Sequence, residues 1–318
     1  MFRQMAIAVL AVTVCTRVAF AQTFPTKPVR VVIPSAPGSG IDRMGRLLAE
    51  KVSAMWGQAV IIDNRAGGAG ALGTELVAKS AADGYTALIA FTSVVQTPLL
   101  LPKVPYDIER DLLPVTMLAY VPLAFAVRAD SPYRTVAEFL TGGKTLRLSY
   151  GTFGNGSTPH IYSESLARGA AIELTHVPYK GEALALTDVL GGQITASWGS
   201  LGLLSGHHRA GKVRVLAIAS LNRMRALPEV PTFLELGYQQ FGTVSWSGLL
   251  VPAGTPRAIV ERMNADFNRA LGMADVAKTL SDSGIEPAGS TPEAFAETIR
   301  VDSTRWRKMI QESGITAN

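Results

Sequence analysis

The chain has a single cysteine in 318 residues, Cys15. It lies in an N-terminal segment that reads as cleaved, so disulfides, thiol nucleophiles and thiolate metal sites are excluded from the mature protein. Charge is sparse as well: Asp, Glu, Lys and Arg make up 17% of the residues, against roughly 25% in an average soluble protein. With apolar residues at 47%, the composition excludes intrinsic disorder, which needs low hydrophobicity and high net charge. Aromatics reach only 7%. Basic residues such as Arg30, Lys51, Lys79 and Lys144 are scattered singly, so no basic stripe interleaved with aromatics points to nucleic acid. No long uninterrupted apolar run is present. Leu112 to Val127 comes nearest but contains Pro114 and Pro122, and it reads as a buried strand and a crossover. Neither G-x-S-x-G nor H-E-x-x-H occurs. The four histidines, His160, His176, His207 and His208, contain no i,i+4 pair that could form a helical metal face.

The N-terminus has the layout of an export signal. Arg3 precedes an apolar run from Met5 to Val14, and Ala19-Phe20-Ala21 fits an A-x-A cleavage site before Gln22. A ten-residue helix reaches only about 15 Å, half a bilayer core. Residues 1–21 are therefore a signal peptide, cleaved near Ala21, and the mature protein is expected in a bacterial periplasm. Removing this segment takes away Arg3 and Arg17 and leaves 28 basic against 25 acidic residues. The resulting weak positive field favours an anionic small molecule.

Strand and helix patterns alternate along the rest, which predicts an α/β fold with mainly parallel sheets. Val29 to Ile33 is a β-branched strand, followed by the loop Pro34 to Gly40 and a helix carrying Ile41, Met44, Leu47, Leu48, Val52 and Met55. Further strands are predicted at 59–62, 85–91, 146–150, 173–178, 194–198, 213–220 and 244–251. Thr135 and Glu138 form a T-x-x-E capping box. Thr158-Pro159, Thr255-Pro256 and Thr291-Pro292 start helices. No linker rich in Pro, Gly or Ser divides the chain, so it is expected to leave a first lobe and return to it.

Gly68-Ala69-Gly70-Ala71-Leu72-Gly73 matches the dinucleotide pattern G-x-G-x-x-G, but no acid ends the next strand near Ala90-Phe91-Thr92. It reads as a turn with tight helix packing. Gly143-Lys144-Thr145 fails as a P-loop because Glu138 stands where the first glycine belongs. His207-His208 reads as a solvated turn and His176 as a packed strand residue, while His160 is a candidate ligand contact. The stronger signal is a pair of strand, glycine loop and helix units at 34–42 and 151–160. Helix N-termini offer unpaired N–H groups and a positive dipole end to anions. In open α/β sheets, ligands bind outside the carboxyl ends of strands, where both loops sit.

These loops belong to a wider set of motifs. They are Phe24-Pro25-x-Lys27-Pro28, Pro37-Gly38-Ser39-Gly40-Ile41-Asp42, Asn64-Arg65-x-Gly67, Asp83-Gly84-Tyr85, Pro105-Tyr106-Asp107, Gly154-Asn155-Gly156-Ser157-x-x-His160, His176-Val177-Pro178-Tyr179-Lys180-Gly181, Leu227-Pro228-x-Val230-Pro231-Thr232 and Pro252-Ala253-Gly254-Thr255-Pro256. In this order and spacing, from about Phe24 to Gly314, the chain resembles the Bug family, the periplasmic solute-binding proteins of tripartite tricarboxylate transporters. The resemblance implies a type II periplasmic-binding-protein fold, with two α/β lobes closing over a small carboxylate. Lobe 1 would comprise residues 22–121 and 242–318, and lobe 2 residues 122–241.

Carried over residue by residue, Ser35, Ala36, Gly38, Ser39 and Asp42 would form one wall. Gly151, Thr152, Asn155, Gly156, Ser157 and His160 would form the other. Thr92 and Ser93, at the end of the third strand, and Tyr179 and Trp198, at strand ends of the other lobe, would shape the pocket. Asp42 beside an anion site would either complement the helix dipole or accept a bond from a ligand amino or hydroxyl group. The chain departs from the family at Ser35, Ser39, Phe153, Glu182 and Gly199. Phe153 would favour an aromatic or larger acid, or pack against the hinge. No cofactor, metal or chemistry is implied; the expectation is a monomer that takes a small carboxylate and meets a membrane transporter or sensor. The alternatives are an exported hydrolase acting through Asp42 and His160, and an interaction module without a small ligand.

Overall fold

The computed structural model describes residues 24–101, 103–242 and 244–315. The segment read as a signal peptide, with Cys15 and Ala21, lies outside them. In chain order the first elements are β1 (Val29–Ile33), α1 (Gly40–Trp56), β2 (Val60–Asn64), α2 (Ala71–Ala78), β3 (Thr86–Phe91), α3 (Ser93–Leu100), α4 (Ile108–Asp111) and β4 (Leu112–Tyr120). There follow β5 (Leu123–Arg128), α5 (Val136–Gly142), β6 (Leu148–Thr152), α6 (Thr158–Gly169), β7 (Leu174–Pro178), α7 (Glu182–Leu190), β8 (Ala196–Ser200), α8 (Leu201–Arg209) and β9 (Val213–Ala219). The last are β10 (Trp246–Pro252), α9 (Arg257–Leu271), α10 (Ala274–Asp282), β11 (Glu286–Pro287) and α11 (Pro292–Ser313).

The strands form two sheets, ordered β11-β4-β10-β3-β1-β2 and β7-β6-β8-β5-β9. Each has a parallel core, β2-β1-β3 in one and β7-β6-β8 in the other, and antiparallel strands complete both. Helices cover them to give two α/β lobes. The apolar stretch Leu112 to Val127 is in fact two strands in two different sheets. Pro122 sits between them, and Pro114 lies where the β4–β10 register shifts, a position that spares the ladder a missing donor. On the return, β10 re-enters the first sheet, and Val121 N–H donates to Ser245 O at 2.7 Å where the two passages run side by side.

Several boundaries differ from the sequence expectation. Thr92 and Ser93 do not end a strand: β3 stops at Phe91, and α3 begins at Ser93. Its β-branched residues and internal Pro98 conceal this helix from periodicity. β6 and β8 each sit two residues later than expected, so Gly151 and Thr152 are strand residues. The Gly68–Gly73 motif forms a 3₁₀ turn and the start of α2. His207 and His208 lie in the last turn of α8 instead of a solvated turn. His208 Nδ1 accepts from Val215 N–H at 3.2 Å. Among the described residues no helix is long and apolar enough to cross a membrane.

The lobes touch through α3, α6 and α11. Trp306 on α11 packs on Tyr162 of α6, with centroids 5.5 Å apart. Gln96 on α3 exchanges two hydrogen bonds with Thr158 on α6, at 2.9 and 3.0 Å. Farther along α11, Phe295 meets Trp246 edge to face at 5.0 Å, and Asp302 accepts from Trp246 Nε1 at 2.6 Å.

Burial lifts the Asp302 carboxyl to about 6, although the Trp246 bond and the Arg305 charge oppose it. The native state thus holds a proton that the unfolded chain, near 3.8, has released. That contribution is complete below about pH 3.8 and is lost as pH rises through about 6, a change on the order of 3 kcal/mol. The Asp302→Asn variant should therefore gain on the wild type in melting temperature between about pH 4 and pH 7; a constant difference would refute the assignment.

Candidate functional site

β1 and β3 run parallel, as do β6, β7 and β8, so each lobe gathers its strand-to-helix loops along one edge. The Gln96–Thr158 pair joins the first turn of α3 to the first residue of α6. The two loop edges therefore face each other, which is where α/β folds bind ligands.

In the first wall, Ser39 caps α1 by accepting from Asp42 N–H at 3.2 Å. Ser35 Oγ lies 2.9 Å from Ser39 Oγ. Asp42 is only 2% exposed. Its carboxylate accepts from Gly38 N–H at 2.8 Å, Asn64 Nδ2 at 2.9 Å and Arg46 Nε at 3.1 Å. Burial pushes its pKa up, but the bonds from Arg46, Gly38 and Asn64 outweigh that and hold it below 3.8. Asp42 thus pins its own loop with its charge balanced by Arg46, and the amide of Gly38 is committed to it. Ala36 and Gly38 are exposed at the loop tip. In the first turn of α1, Gly40 and Ile41 have no helical carbonyl for their N–H groups.

Thr92 is buried beneath this wall. Its hydroxyl accepts from Trp246 N–H at 2.8 Å, which locks β10 to the start of α3, and Ser93 is half-buried beside it.

In the second wall, Thr152 ends β6 fully buried, and its hydroxyl lies 2.6 Å from His176 Nε2. Gly151 is buried against Tyr179 and Ile194. Gly156 has φ +72, and a Cβ there would lie 2.9 Å from Leu100 Cδ1 of the other lobe. Its N–H donates to His160 Nδ1 at 3.1 Å, which leaves the proton of the neutral ring on Nε2. His160 stacks on His176 at 3.9 Å, and Tyr150 stacks on His176 from the other side. Burial lowers the pKa of His160 against the opposing pull of Glu164. Burial, then the His160 charge, takes His176 to about 4. Both rings are neutral packing partners at neutral pH. Ser157 donates to Gly154 O at 2.7 Å, and Asn155 is exposed at the tip. Ser157, not Thr158, is the N-cap of α6.

The remaining candidates divide. Tyr179 stays on the edge, its N–H bonded to Thr152 O and its hydroxyl donating to Asp188 at 2.6 Å. Trp198 is fully buried; its indole N–H donates to Ser163 at 2.8 Å and its ring stacks with Phe233. It is a core residue of its lobe. Phe153 is half-buried against the main apolar cluster, which accords with the packing alternative. Gln96 and Ser200, on the same edges, were not singled out in the sequence. Gln96 was hidden with its helix; the position of Ser200 just ahead of an apolar helical pattern was the available cap signal. Among the described residues no group of three or more His, Cys, Asp or Glu could hold a metal ion.

Two helix-covered lobes with opposed loop edges define a bilobed binding protein. Residues 44–315 match the family model described as "Tripartite tricarboxylate transporter family receptor", and the chain belongs to this family. It is 38% identical over 315 residues to the "UPF0065 protein in tcbD-tcbE intergenic region" of Pseudomonas sp. (strain P51), covering 98% of this chain and 94% of the relative. It is 35% identical to "Protein BugT" of Bordetella pertussis, covering 92% and 91%. Two similar solved structures are "R. palustris Rpa4515 with adipate" (TM-score 0.85, 32% identity, 92% of this chain and 99% of that one) and "MatC (Rpa3494) from Rhodopseudomonas palustris with bound malate" (TM-score 0.82, 30% identity, 90% and 100%). The recognition of a Bug-family receptor and the bilobed α/β fold both hold.

Replacing Asp42 by Ala takes the acceptor from Gly38 N–H and leaves Asn64 Nδ2 with Ser35 O alone and Arg46 with Asn64 Oδ1 alone. Bonds to a charged group are worth about 1.5–3 kcal/mol, so a loss of about 2 kcal/mol in unfolding free energy is expected, with faster hydrogen exchange at Gly38. An unchanged Gly38 exchange rate would contradict this role.

Proposed function

We propose that the protein is a periplasmic receptor that captures a small organic acid between its lobes and presents it to a tripartite tricarboxylate-type transporter or a sensor. The observation that carries this reading is the Gln96–Thr158 pair, which brings together the loop edges of the two sheets, the edges on which the N-termini of α1 and α6 lie. Since the Gly38 and Gly156 amides are committed to Asp42 and His160, the first-turn N–H groups of Gly40, Ile41, Thr158 and His160 grip the carboxylate. Ser35, Ser39, Ser93 and Asn155 supply hydroxyl and amide contacts around it, while the Ser157 and Tyr179 hydroxyls, bonded to Gly154 O and Asp188, hold the loop and its edge in place. The related proteins named with adipate and malate support a carboxylate ligand.

The lobes are taken as 22–121 with 242–318, and 122–241, exported by the signal peptide and acting as a monomer. A ligand bridging both lobes stabilises the closed state by its differential affinity for it. Binding without chemistry accounts for Asp42 and His160, each occupied with a backbone amide of its own loop. No observation favours the hydrolase reading.

Thermal-shift measurements with a panel of carboxylates test this. A ligand at about 100 times its Kd adds about 2.7 kcal/mol, a clear rise in melting temperature, and chromatography should recover it unchanged. The Gly156→Val variant, strained at φ +72 and crowded against Leu100, should fold but lose the shift. Persistent binding by that variant would displace the second wall, and turnover of the ligand would replace the receptor reading with an enzyme.

A further inference from the structure

Lobe 2 carries a carboxylate of its own on the edge that faces lobe 1. In the sheet, β6 lies between β7 and β8. Glu182 opens α7 just beyond β7, and Ser200 ends β8 and caps α8. Ser200 N–H donates to Glu182 Oε2 at 2.5 Å, and the Ser200 hydroxyl donates to Oε1 at 3.0 Å. The chain that leaves β7 therefore crosses the end of β6, whose next residues form the Gly154–Gly156 loop, and sets the Glu182 carboxylate at the β8 end. Adjacent strands are about 4.8 Å apart, which sets this carboxylate within one or two strand spacings of the root of that loop. Tyr179 joins the same ledge, through its N–H to Thr152 O and its ring against Gly151. The partners of Glu182 are a neutral amide and a neutral hydroxyl, and its charge is met by the N-terminal ends of α8 and of its own helix α7, with no ion pair among the described residues. Gly199 beside it leaves no room for a side chain, since a Cβ would lie 2.9 Å from Leu204 Cγ.

Resting on the carboxylate reading above, we propose that Glu182 is a specificity-determining residue that makes the cleft prefer acids with one carboxylate and a neutral far end over dicarboxylates. A carboxylate from the chain already occupies the amide and hydroxyl pair of Ser200. The second carboxylate of a diacid held at the α6 N-terminus meets that like charge, and discrimination comes from repulsion as much as from attraction. An amide or hydroxyl at the same place donates a hydrogen bond to Glu182 instead.

Matched pairs that differ only in this charge test the assignment: succinate and succinamate, glutarate and glutaramate, adipate and adipamate, titrated calorimetrically against the wild type and Glu182→Gln. In the pair that binds best, the wild type should take the monoamide at least tenfold more tightly than the diacid, and Glu182→Gln should bring the two within about threefold. Should the Gln variant not fold, Glu182→Asp, which keeps the charge, must preserve the wild-type preference. A wild type that prefers the diacid, or the same ratio in wild type and Gln variant, overturns the role of Glu182 and leaves the carboxylate reading standing. No binding by any member of the pairs, nor by the wider carboxylate panel, overturns the carboxylate reading and this proposal with it.

Discussion

Two passages of chain, hydrogen-bonded to each other, carry the polypeptide out of one sheet and back again. Tyr120 faces Trp246 in the β4–β10 ladder, and the Val121 N–H bond to Ser245 O continues that pairing across the border between lobes. Everything that makes a cleft follows from this double strand. It joins the two sheets side by side and keeps their loop edges together. It also keeps the connection short, so two lobes meet without a flexible linker. Pro122 suits the gap because no ladder donor is needed there, and Leu201 N–H bonds back to its carbonyl at 3.1 Å.

Within that frame, the loops are stiffened by side chains that satisfy backbone amides. Asp42 does this for Gly38 and His160 does it for Gly156, one with a charged acceptor and one with a neutral ring nitrogen. The choice has an electrostatic consequence. Arg46 balances Asp42 locally, and burial keeps His160 uncharged, so neither loop adds a net charge that would compete with the helix dipoles. A carboxylate beside an anion site, a contradiction when the residues are read in sequence, is resolved once its oxygens are seen to be occupied from behind.

Much of this was legible from local pattern. The strand β1, the helix α1 with its Ser39 cap, the Thr135 cap bonded to Glu138 N–H at 3.1 Å and the two glycine loops all announce themselves through period, caps and turns. What was lost depends on partners far apart in the chain. Asn64 reaches Asp42, His176 stacks on His160, and Gln96 meets Thr158, and no local period encodes such pairs. α3 was lost for a different reason. Pro98 and the β-branched Val94, Val95 and Thr97 argue against a helix, and burial against α11 and the sheet overrides that propensity. The same override placed Trp198 in the core: a strand end suggested the pocket, whereas Phe125, Tyr162, Phe233 and Phe241 enclose the ring.

The junction between the lobes sets aromatic and polar contacts against a buried polar group. Trp306 against Tyr162 supplies an aromatic contact worth about 0.5–1.5 kcal/mol beyond its buried area. The two Gln96–Thr158 bonds are neutral and worth about 1 kcal/mol each once exchange with water is counted. Against these, the Trp306 indole N–H is buried without an acceptor among the described residues, a cost of about 1–3 kcal/mol. On the far side the lobes touch backbone to backbone, where a Cβ on Gly202 would sit 1.8 Å from Ser283 O. Beyond these polar terms, apolar packing runs across the junction, since Val32, Leu88 and Trp306 share one buried cluster with Phe125, Tyr162 and Trp198. In the proposed capture, a ligand would shift the lobes only by the difference between its affinities for their open and closed arrangements.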